Sequence, residues 1–141
     1  MAEICGTPRM STVAPRDLIA GFFADVDAGR AEQAFARLAP DVAYYLIAPV
    51  PWGGVFDRDG LTRAAMSVFE RLATPLRLSV DTLVAEGDRV VAEVRGRAPT
   101  KAGGTYANQY LFLYRVSDGV IVEAKEFLDS AMFVDLVEGR L

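Results

Sequence analysis

One carboxylate near the C-terminus lies where a strand would not ordinarily place a charge. The segment GVIVEAKEFLDS, residues 119–130, alternates as a β-strand does, so Val122, Ala124 and Glu126 share one face. Glu123 falls on the opposite, more polar face, as a solvated charge should. A carboxyl group among aliphatic side chains loses hydration of its charged form, which raises its pKa toward the range useful to a general acid or base. The spacing therefore makes Glu126 a candidate for proton transfer.

The absence of histidine limits the chemistry that the chain could perform. With no histidine in the sequence, Ser-His-Asp and Cys-His catalysis and the usual zinc sites are excluded. The sequence also lacks the glycine-rich patterns that bind dinucleotides or nucleotide phosphates. We therefore expect no metal and no cofactor, and we assign any proton transfer to Asp, Glu, Tyr, Lys or bound water.

Length and charge describe a single globular domain. The 141 residues fit one domain, and an apolar share of 52% is enough to fill its core. A net charge of −4 without a basic stripe argues against a nucleic-acid partner. The longest apolar runs are short and broken by proline, which argues against a membrane span, and no hydrophobic signal core begins the chain. We expect a cytoplasmic protein.

The first residues differ from the rest of the chain. Residues 1–12 show no hydrophobic periodicity and are predicted to be a disordered tail, with the domain at 13–141. Cys5 is the single cysteine, which excludes an internal disulfide. Met10 is an alternative to Met1 as the natural start.

Hydrophobic periodicity predicts mainly helices first and strands afterwards. Residues 14–28 have the 3, 4, 7, 8 apolar spacing of an amphipathic helix, with Asp25 on its solvated side. The remaining predicted elements are a helix at 30–40, a strand at 41–48, a loop at 49–60, a helix at 59–73, strands at 76–87, 88–98, 104–116 and 119–128, and a helix at 129–139.

This order predicts an α+β fold. Tight-turn residues separate the last four strands, which should form an antiparallel meander. Helices must then cover one face of a curved sheet. Because the helices are few for so long a sheet, we expect a cone-shaped cavity between them that holds a small hydrophobic molecule.

Three stretches resemble a known superfamily. FFADVDAGRAEQAFARLAPDVAYY, WGGVFDRDGL and GGTYANQYLFLYRVSDGVIVEAKEFLDSA are similar to the SnoaL-like branch of the nuclear-transport-factor-2 (NTF2) superfamily. That group includes ketosteroid isomerases, polyketide cyclases and limonene-type epoxide hydrolases. The resemblance covers nearly all of the chain after Val13. It implies a cystatin-like α+β roll, with a curved antiparallel sheet wrapped by N-terminal helices, and a homodimer.

Different branches of this superfamily imply different sites. The three polar positions of the ketosteroid isomerases correspond here to Phe22, Leu46 and Phe112, so steroid isomerisation by that route is not expected. The epoxide hydrolases are a better match, because their strand tyrosine corresponds to Tyr44 and their water-activating aspartate to Glu126.

The epoxide-hydrolase pattern is nevertheless incomplete. An asparagine of that pattern corresponds to Leu46, and its Arg-x-Asp pair corresponds to Arg95 and Arg97, so only the arginine is kept. The resemblance implies that Arg95 holds Glu126 or a substrate oxygen. The alternation of RVVAEVRGRA by itself favours a solvated sheet face for both arginines.

Polar and aromatic residues elsewhere have two interpretations. Asn108 and Tyr110 share a strand face and could orient a ligand, or Tyr110 could be a core residue with a satisfied hydroxyl. Trp52 could form the rim of the cavity or fill the core.

The sequence supports two hypotheses of different class. The first is an enzyme that performs cofactor-free isomerisation, cyclisation or epoxide hydration on a polyketide- or terpenoid-like substrate. The second is a binding module of the same fold without turnover. The catalytic candidates are Glu126, Arg95 and Tyr44. The substrate-binding candidates are Asn108, Tyr110, Phe112, Leu46, Trp52, Phe22 and Arg97.

Overall fold

The computed structural model describes residues 13–141, so the predicted tail, Cys5 and Met10 lie outside the described residues. The elements are α1 Pro15–Asp27, α2 Ala31–Phe35, β1 Leu38–Ile47, β2 Gly54–Phe56, α3 Arg58–Phe69, β3 Arg77–Glu86, β4 Arg89–Pro99, β5 Thr105–Ser117, β6 Val120–Leu128 and α4 Ser130–Val137. Within residues 13–141, no helix has the length and apolar character needed to cross a bilayer.

The strands form one six-stranded sheet in the order β2-β1-β6-β5-β4-β3. The segment from β3 to β6 is the predicted antiparallel meander. β1 pairs with β6 in parallel, so the sheet departs from the antiparallel arrangement at this one junction. A parallel pair needs a long connection, and β2, α3 and the strands β3 to β5 lie between β1 and β6 in the chain. The predicted α+β class is confirmed.

Strand alternation gives the sheet an inner and an outer face. In β4, the buried side chains of Val90, Ala92 and Val94 define the inner face, whereas the intervening arginines and Glu93 are exposed. Helix α1 packs on the inner face, where the rings of Phe22 and Tyr114 lie 6.3 Å apart. The helix thus buries its apolar side against the sheet, as its spacing predicts.

Two short segments differ from the sequence-based expectation. The second helix ends at Phe35, and β1 already begins at Leu38. Pro40 is tolerated in this strand because it lies where the register with β6 is interrupted, between Leu38 and Ala43. The predicted loop at 49–60 contains β2, an edge strand of only three residues, which is too short for alternation to reveal.

Candidate active site

A cavity of about 160 Å³ lies between the inner face and the helices. Its walls are mostly aromatic and aliphatic, and its few polar groups come from the sheet, from α3 and from the loop before β2. The predicted binding residues that line it are Phe22, Leu46, Trp52, Tyr110 and Phe112. Glu126 and Tyr44 line it as well.

The carboxyl group of Glu126 is paired with a tyrosine from the neighbouring strand. Tyr44 donates its hydroxyl hydrogen to Glu126 Oε1 over 2.5 Å. In the register, Tyr44 lies beside Ala124 and Leu46 lies beside Glu126, so the tyrosine ring reaches diagonally along β6. The small side chain of Ala124 leaves space for that ring.

Burial controls the ionisation of Glu126. Loss of hydration raises the pKa of its carboxyl group to about 7, and the hydrogen bond from Tyr44 opposes this rise only in part. Within residues 13–141, no arginine or lysine forms an ion pair with Glu126. Near neutral pH the group therefore exists in both forms, and it can accept or release a proton.

Tyr44 remains a hydrogen-bond donor under the same conditions. Burial, followed by the negative charge of Glu126, raises the pKa of the Tyr44 hydroxyl well above its usual value. Its side chain is 3% exposed. Tyr44 therefore stabilises the ionised form of Glu126 by donation and does not compete with it as a base.

The structure contradicts the expected partnership between Arg95 and Glu126. Arg95 lies on the outer face, where its guanidinium donates to both oxygens of Asp81 at 2.7 and 2.9 Å. Its side chain is 61% exposed. Alternation in β4 assigns the inner face to Val94 and Gly96, so Arg95 must point away from the cavity. The periodicity is a better guide here than the resemblance.

Arg97 and Asn108 also lie away from the cavity walls. Arg97 is exposed on the outer face for the same reason as Arg95. Asn108 is 4% exposed, and its amide has a structural role. Its Oδ1 accepts from the backbone N–H groups of Gln109 and Asp129, so it fixes the junction between β6 and α4. Neither residue lines the cavity that contains Glu126, contrary to the expectation, and a role of either in substrate binding stays a prediction.

A second polar group in the cavity includes a residue that the sequence analysis does not identify. Tyr106 lines the cavity beside Tyr110, and their hydroxyl oxygens lie 3.1 Å apart. Asn108 Nδ2 donates to the Tyr106 hydroxyl over 2.8 Å. The alternation that places Asn108 and Tyr110 on one face includes Tyr106 as well, and it is the signal that could have found this residue.

Residues 13–141 contain no cluster of three or more Cys, Asp or Glu side chains with metal-ligating geometry. The polar groups that do line the described cavity are a carboxyl group with a raised pKa and several hydroxyls. This combination is suited to proton transfer by Glu126, with tyrosine hydroxyls as hydrogen-bond donors.

Solved structures with the same architecture come from several bacteria. An NTF2-like protein from Burkholderia thailandensis has a TM-score of 0.75 at 20% identity, over 89% of this chain and 98% of that one. IdmH, a proposed polyketide cyclase from Streptomyces antibioticus, has a TM-score of 0.74 at 22% identity, over 89% and 99%. TerC co-crystallised with polyporic acid has a TM-score of 0.72 at 22% identity, over 89% and 99%.

At these identities, the likeness establishes the fold alone. No curated protein matches the chain. The SnoaL-like domain family, in contrast, matches residues 19–124, which include most of α1, the whole of α2, β1 and α3, and most of the meander. The chain has the NTF2-like fold and belongs to the SnoaL-like domain family.

Proposed function

We propose that the protein is a cofactor-independent enzyme that moves a proton on a small hydrophobic carbonyl compound, with Glu126 as the general base and acid. The observation that carries this proposal is the Tyr44–Glu126 pair inside an apolar cavity, with a Glu126 pKa of about 7. A base whose pKa lies close to the working pH combines a useful ionised fraction with useful basicity.

The proposed step balances without any further reactant. The Glu126 carboxylate takes a proton from the carbon beside a carbonyl, and the electrons of the broken C–H bond move toward the carbonyl oxygen. In an isomerisation, the protonated Glu126 returns the proton to another carbon. In a cyclisation, the enolate carbon attacks a second carbonyl of the same molecule, and Glu126 gives its proton to the resulting alkoxide.

The site supports these reactions better than epoxide hydration. Hydration would require a water positioned beside Glu126. Leu46 lies next to Glu126 in the register of β1 and β6 and offers no hydrogen bond to a water. Arg95 is occupied by Asp81 on the outer face. The remaining polar groups suit a substrate that itself carries the reacting carbon and oxygen.

The cavity volume indicates the size of the enclosed part of the substrate. At about 160 Å³, it is comparable to a cavity of roughly 150 Å³ that is known to enclose benzene. We therefore propose a substrate with one ring, or a short chain that closes into one ring, in contact with Glu126. The proposed cyclase activity of IdmH is consistent with the second case.

Hydrogen–deuterium exchange tests this function even while the natural substrate is unidentified. Single-ring and short-chain ketones would be incubated with the protein in D₂O, and deuterium incorporation beside the carbonyl would be followed by NMR. Wild-type protein should accelerate exchange, and Glu126→Gln should reduce the acceleration by about 10²–10⁴-fold. Glu123→Gln is the matched control, because Glu123 is in the same strand but pairs with Arg115.

A binding module without turnover is the second candidate. The observation in its favour is the almost wholly apolar cavity wall, with no described cation to orient an anionic substrate. In that case, ketones would bind without accelerated exchange. Glu126→Gln would then change affinity alone.

We also propose that a second copy of the chain covers the outer face. Leu111 and Phe127 are 50% and 42% exposed, and they are directly paired across β5 and β6. The charged outer face of β4 lies alongside them. A homodimer related by a two-fold axis would remove these side chains from water. Sedimentation that shows only monomer at micromolar concentration would contradict this.

A further inference from the structure

Three side chains of β5 form a directed series of hydrogen bonds that ends at the cavity. Asn108 Nδ2 donates to the Tyr106 hydroxyl, which lies 3.1 Å from the Tyr110 hydroxyl. Each tyrosine hydroxyl carries one hydrogen, and only one hydrogen can lie between the two oxygens. One hydroxyl hydrogen of the pair is therefore not used by the other tyrosine.

The orientation of Asn108 determines the direction of this series. Its Oδ1 accepts from the N–H groups of Gln109 and Asp129 at 2.7 and 2.9 Å, which requires that its NH₂ group point toward Tyr106. Donation into the Tyr106 oxygen makes the Tyr106 O–H group a better donor. Either oxygen of the pair could donate, but Tyr106 is 1% exposed and its buried hydrogen needs an acceptor, which Tyr110 supplies. With Tyr106 as the donor, the unused hydrogen belongs to Tyr110.

We propose that the Tyr110 hydroxyl donates its unused hydrogen to a carbonyl oxygen of the ligand in the cavity. Tyr110 lines this cavity and is 8% exposed, whereas Tyr106 behind it is 1% exposed. Among the cavity hydroxyls, that of Tyr44 already donates to Glu126. The hydroxyl of Ser67 likewise donates to a backbone carbonyl of α3. Tyr110 is thus the hydroxyl whose hydrogen remains for a ligand.

This inference rests on the proposed function, because it names the group that receives charge when Glu126 removes the proton. Tyr110 is opposite Leu128, the next inner-face residue after Glu126 along β6. Diagonal neighbours of this kind lie roughly 7–8 Å apart at the backbone, within reach of long side chains. One ring can therefore place its carbonyl oxygen at Tyr110 and its acidic carbon at Glu126. The C–H electrons then move onto an oxygen that already accepts a hydrogen bond.

Two ligands of nearly equal shape, only one of which has a carbonyl oxygen, allow this hydrogen bond to be measured by binding, without any reaction. Acetophenone has a C=O group where α-methylstyrene has C=CH₂. Equilibrium binding of each probe would be measured by calorimetry or ligand-observed NMR for wild-type protein, Tyr110→Phe and Tyr106→Phe. Loss of one neutral hydrogen bond should weaken acetophenone binding about 3- to 10-fold in Tyr110→Phe and leave α-methylstyrene binding unchanged. Tyr106→Phe should show a smaller loss, because Tyr110 keeps its hydrogen.

Tyr114→Phe is the matched control, since Tyr114 is on the same face of β5 and its hydroxyl has no partner among the described residues. It is absent from the cavity wall, so neither affinity should change. In Tyr110→Phe, the Tyr106 hydroxyl could donate to the ligand in place of Tyr110 and hide the loss. The double variant Tyr106→Phe/Tyr110→Phe removes both hydroxyls and excludes this compensation.

The outcomes separate this inference from the proposed function. Selective loss of acetophenone binding in Tyr110→Phe or in the double variant supports the inference, even if wild-type protein shows no deuterium exchange. Equal effects on both probes in all variants would overturn it, as would wild-type protein that binds neither probe. Accelerated exchange that survives in the double variant with unchanged acetophenone affinity would retain the role of Glu126 and reject that of Tyr110.

Discussion

Two carboxylates that are withdrawn from bulk water lie in opposite electrostatic surroundings. Asp25 at the end of α1 is 7% exposed and forms ion pairs with Arg30 and Arg37 at 2.9 and 3.1 Å. Glu126 has a tyrosine and an apolar cavity as its neighbours. The expectation that Asp25 is solvated is therefore wrong.

The two sites show that burial alone does not decide ionisation. Burial raises the pKa of Asp25, but hydrogen bonds from Arg30 and Arg37 and their positive charges outweigh it, so the net pKa is lowered. In Glu126 the hydrogen bond from Tyr44 does not outweigh burial. Asp25 therefore stabilises the junction of α1, α2 and β1 as a permanent charge, whereas Glu126 can exchange protons.

The surroundings of Asp25 also depend on a glycine. The guanidinium of Arg37 passes over Gly21 of α1, where a Cβ atom would lie 2.7 Å from it. A Cβ atom at this position would require the Arg37 guanidinium to shift. The absence of a side chain at Gly21 therefore leaves room for the guanidinium that pairs with Asp25.

The largest expected contrast is in activity. Glu126→Gln should reduce ketone deuterium exchange by about 10²–10⁴-fold, because it removes the proton-accepting group with little change in shape. Asp25→Asn should retain most of the activity, because Asp25 is not in the cavity wall. NMR exchange rates of the two variants at equal folded concentration provide the measurement. A comparable loss in both variants would show that the two carboxylates do not have separate roles.

The pH dependence of stability should have opposite signs at the two sites. The folded-state pKa of Glu126, about 7, lies above its ordinary value of 4.5, so the unfolded chain releases this proton first as the pH rises. Glu126 therefore lowers the free energy of unfolding progressively between pH 4.5 and about 7, by up to about 3 kcal/mol. Urea denaturation across this pH window should show that the free energy of unfolding of Glu126→Gln increasingly exceeds that of wild type as the pH rises.

Asp25 should show the reverse behaviour at lower pH. Its folded-state pKa lies below its ordinary value of 3.8, so its contribution is complete above that value and is lost as the pH falls through the lowered folded-state pKa. The stability difference between wild type and Asp25→Asn should therefore shrink on acidification. A difference that grows on acidification would contradict the ion-pair assignment.

The third contrast concerns stability at neutral pH. Asp25→Asn leaves two arginines without their counter-charge and should lower the free energy of unfolding by about 1–3 kcal/mol. This loss of stability is smaller than the loss expected on breaking a fully buried ion pair, because the side chains of Arg30 and Arg37 are 51% and 31% exposed. Arg140→Gln is the control, since its pairs with Asp135 and Glu138 are solvent-exposed.

The smallest expected effect is a change in the pKa of Glu126 when its hydrogen-bond donor is removed. Tyr44→Phe removes the hydrogen bond that favours the ionised carboxylate, so the pKa of Glu126 should rise above about 7. Titration of the side-chain ¹³C resonance by NMR would detect the shift. A pKa that falls or stays constant would show that Tyr44 does not stabilise the charge.

Sequence-based prediction is most successful where alternation can be counted. The face of β4 that carries Arg95 and Arg97 follows directly from RVVAEVRGRA, and the structure agrees with the periodicity. The resemblance to epoxide hydrolases implies instead a cavity role for Arg95. An equivalent position in a related sequence does not guarantee an equivalent contact when its partner residue has changed.

Prediction is least successful where hydrogen bonds join distant residues. The strand face of Asn108 suggests a ligand-binding amide, but its partners at Asp129 lie 21 residues further along the chain. Tyr106 shares the strand face of Asn108 and Tyr110, but a buried tyrosine in a strand is ordinary and does not by itself indicate a site. Only its contact with Tyr110 makes it informative.

The sequence by itself determined the order of most elements, the faces of the long strands, the lack of histidine chemistry and the presence of a carboxylate on an apolar face. These properties are local, since they depend on residue type and on a period of two or 3.6 residues. Tertiary structure alone decided which partners the carboxylates received. Tyr44 meets Glu126 across 82 residues of sequence because β1 pairs with β6 in one particular register. The bends around α2 bring two arginines to Asp25, whereas strand alternation turns Arg95 away from Glu126.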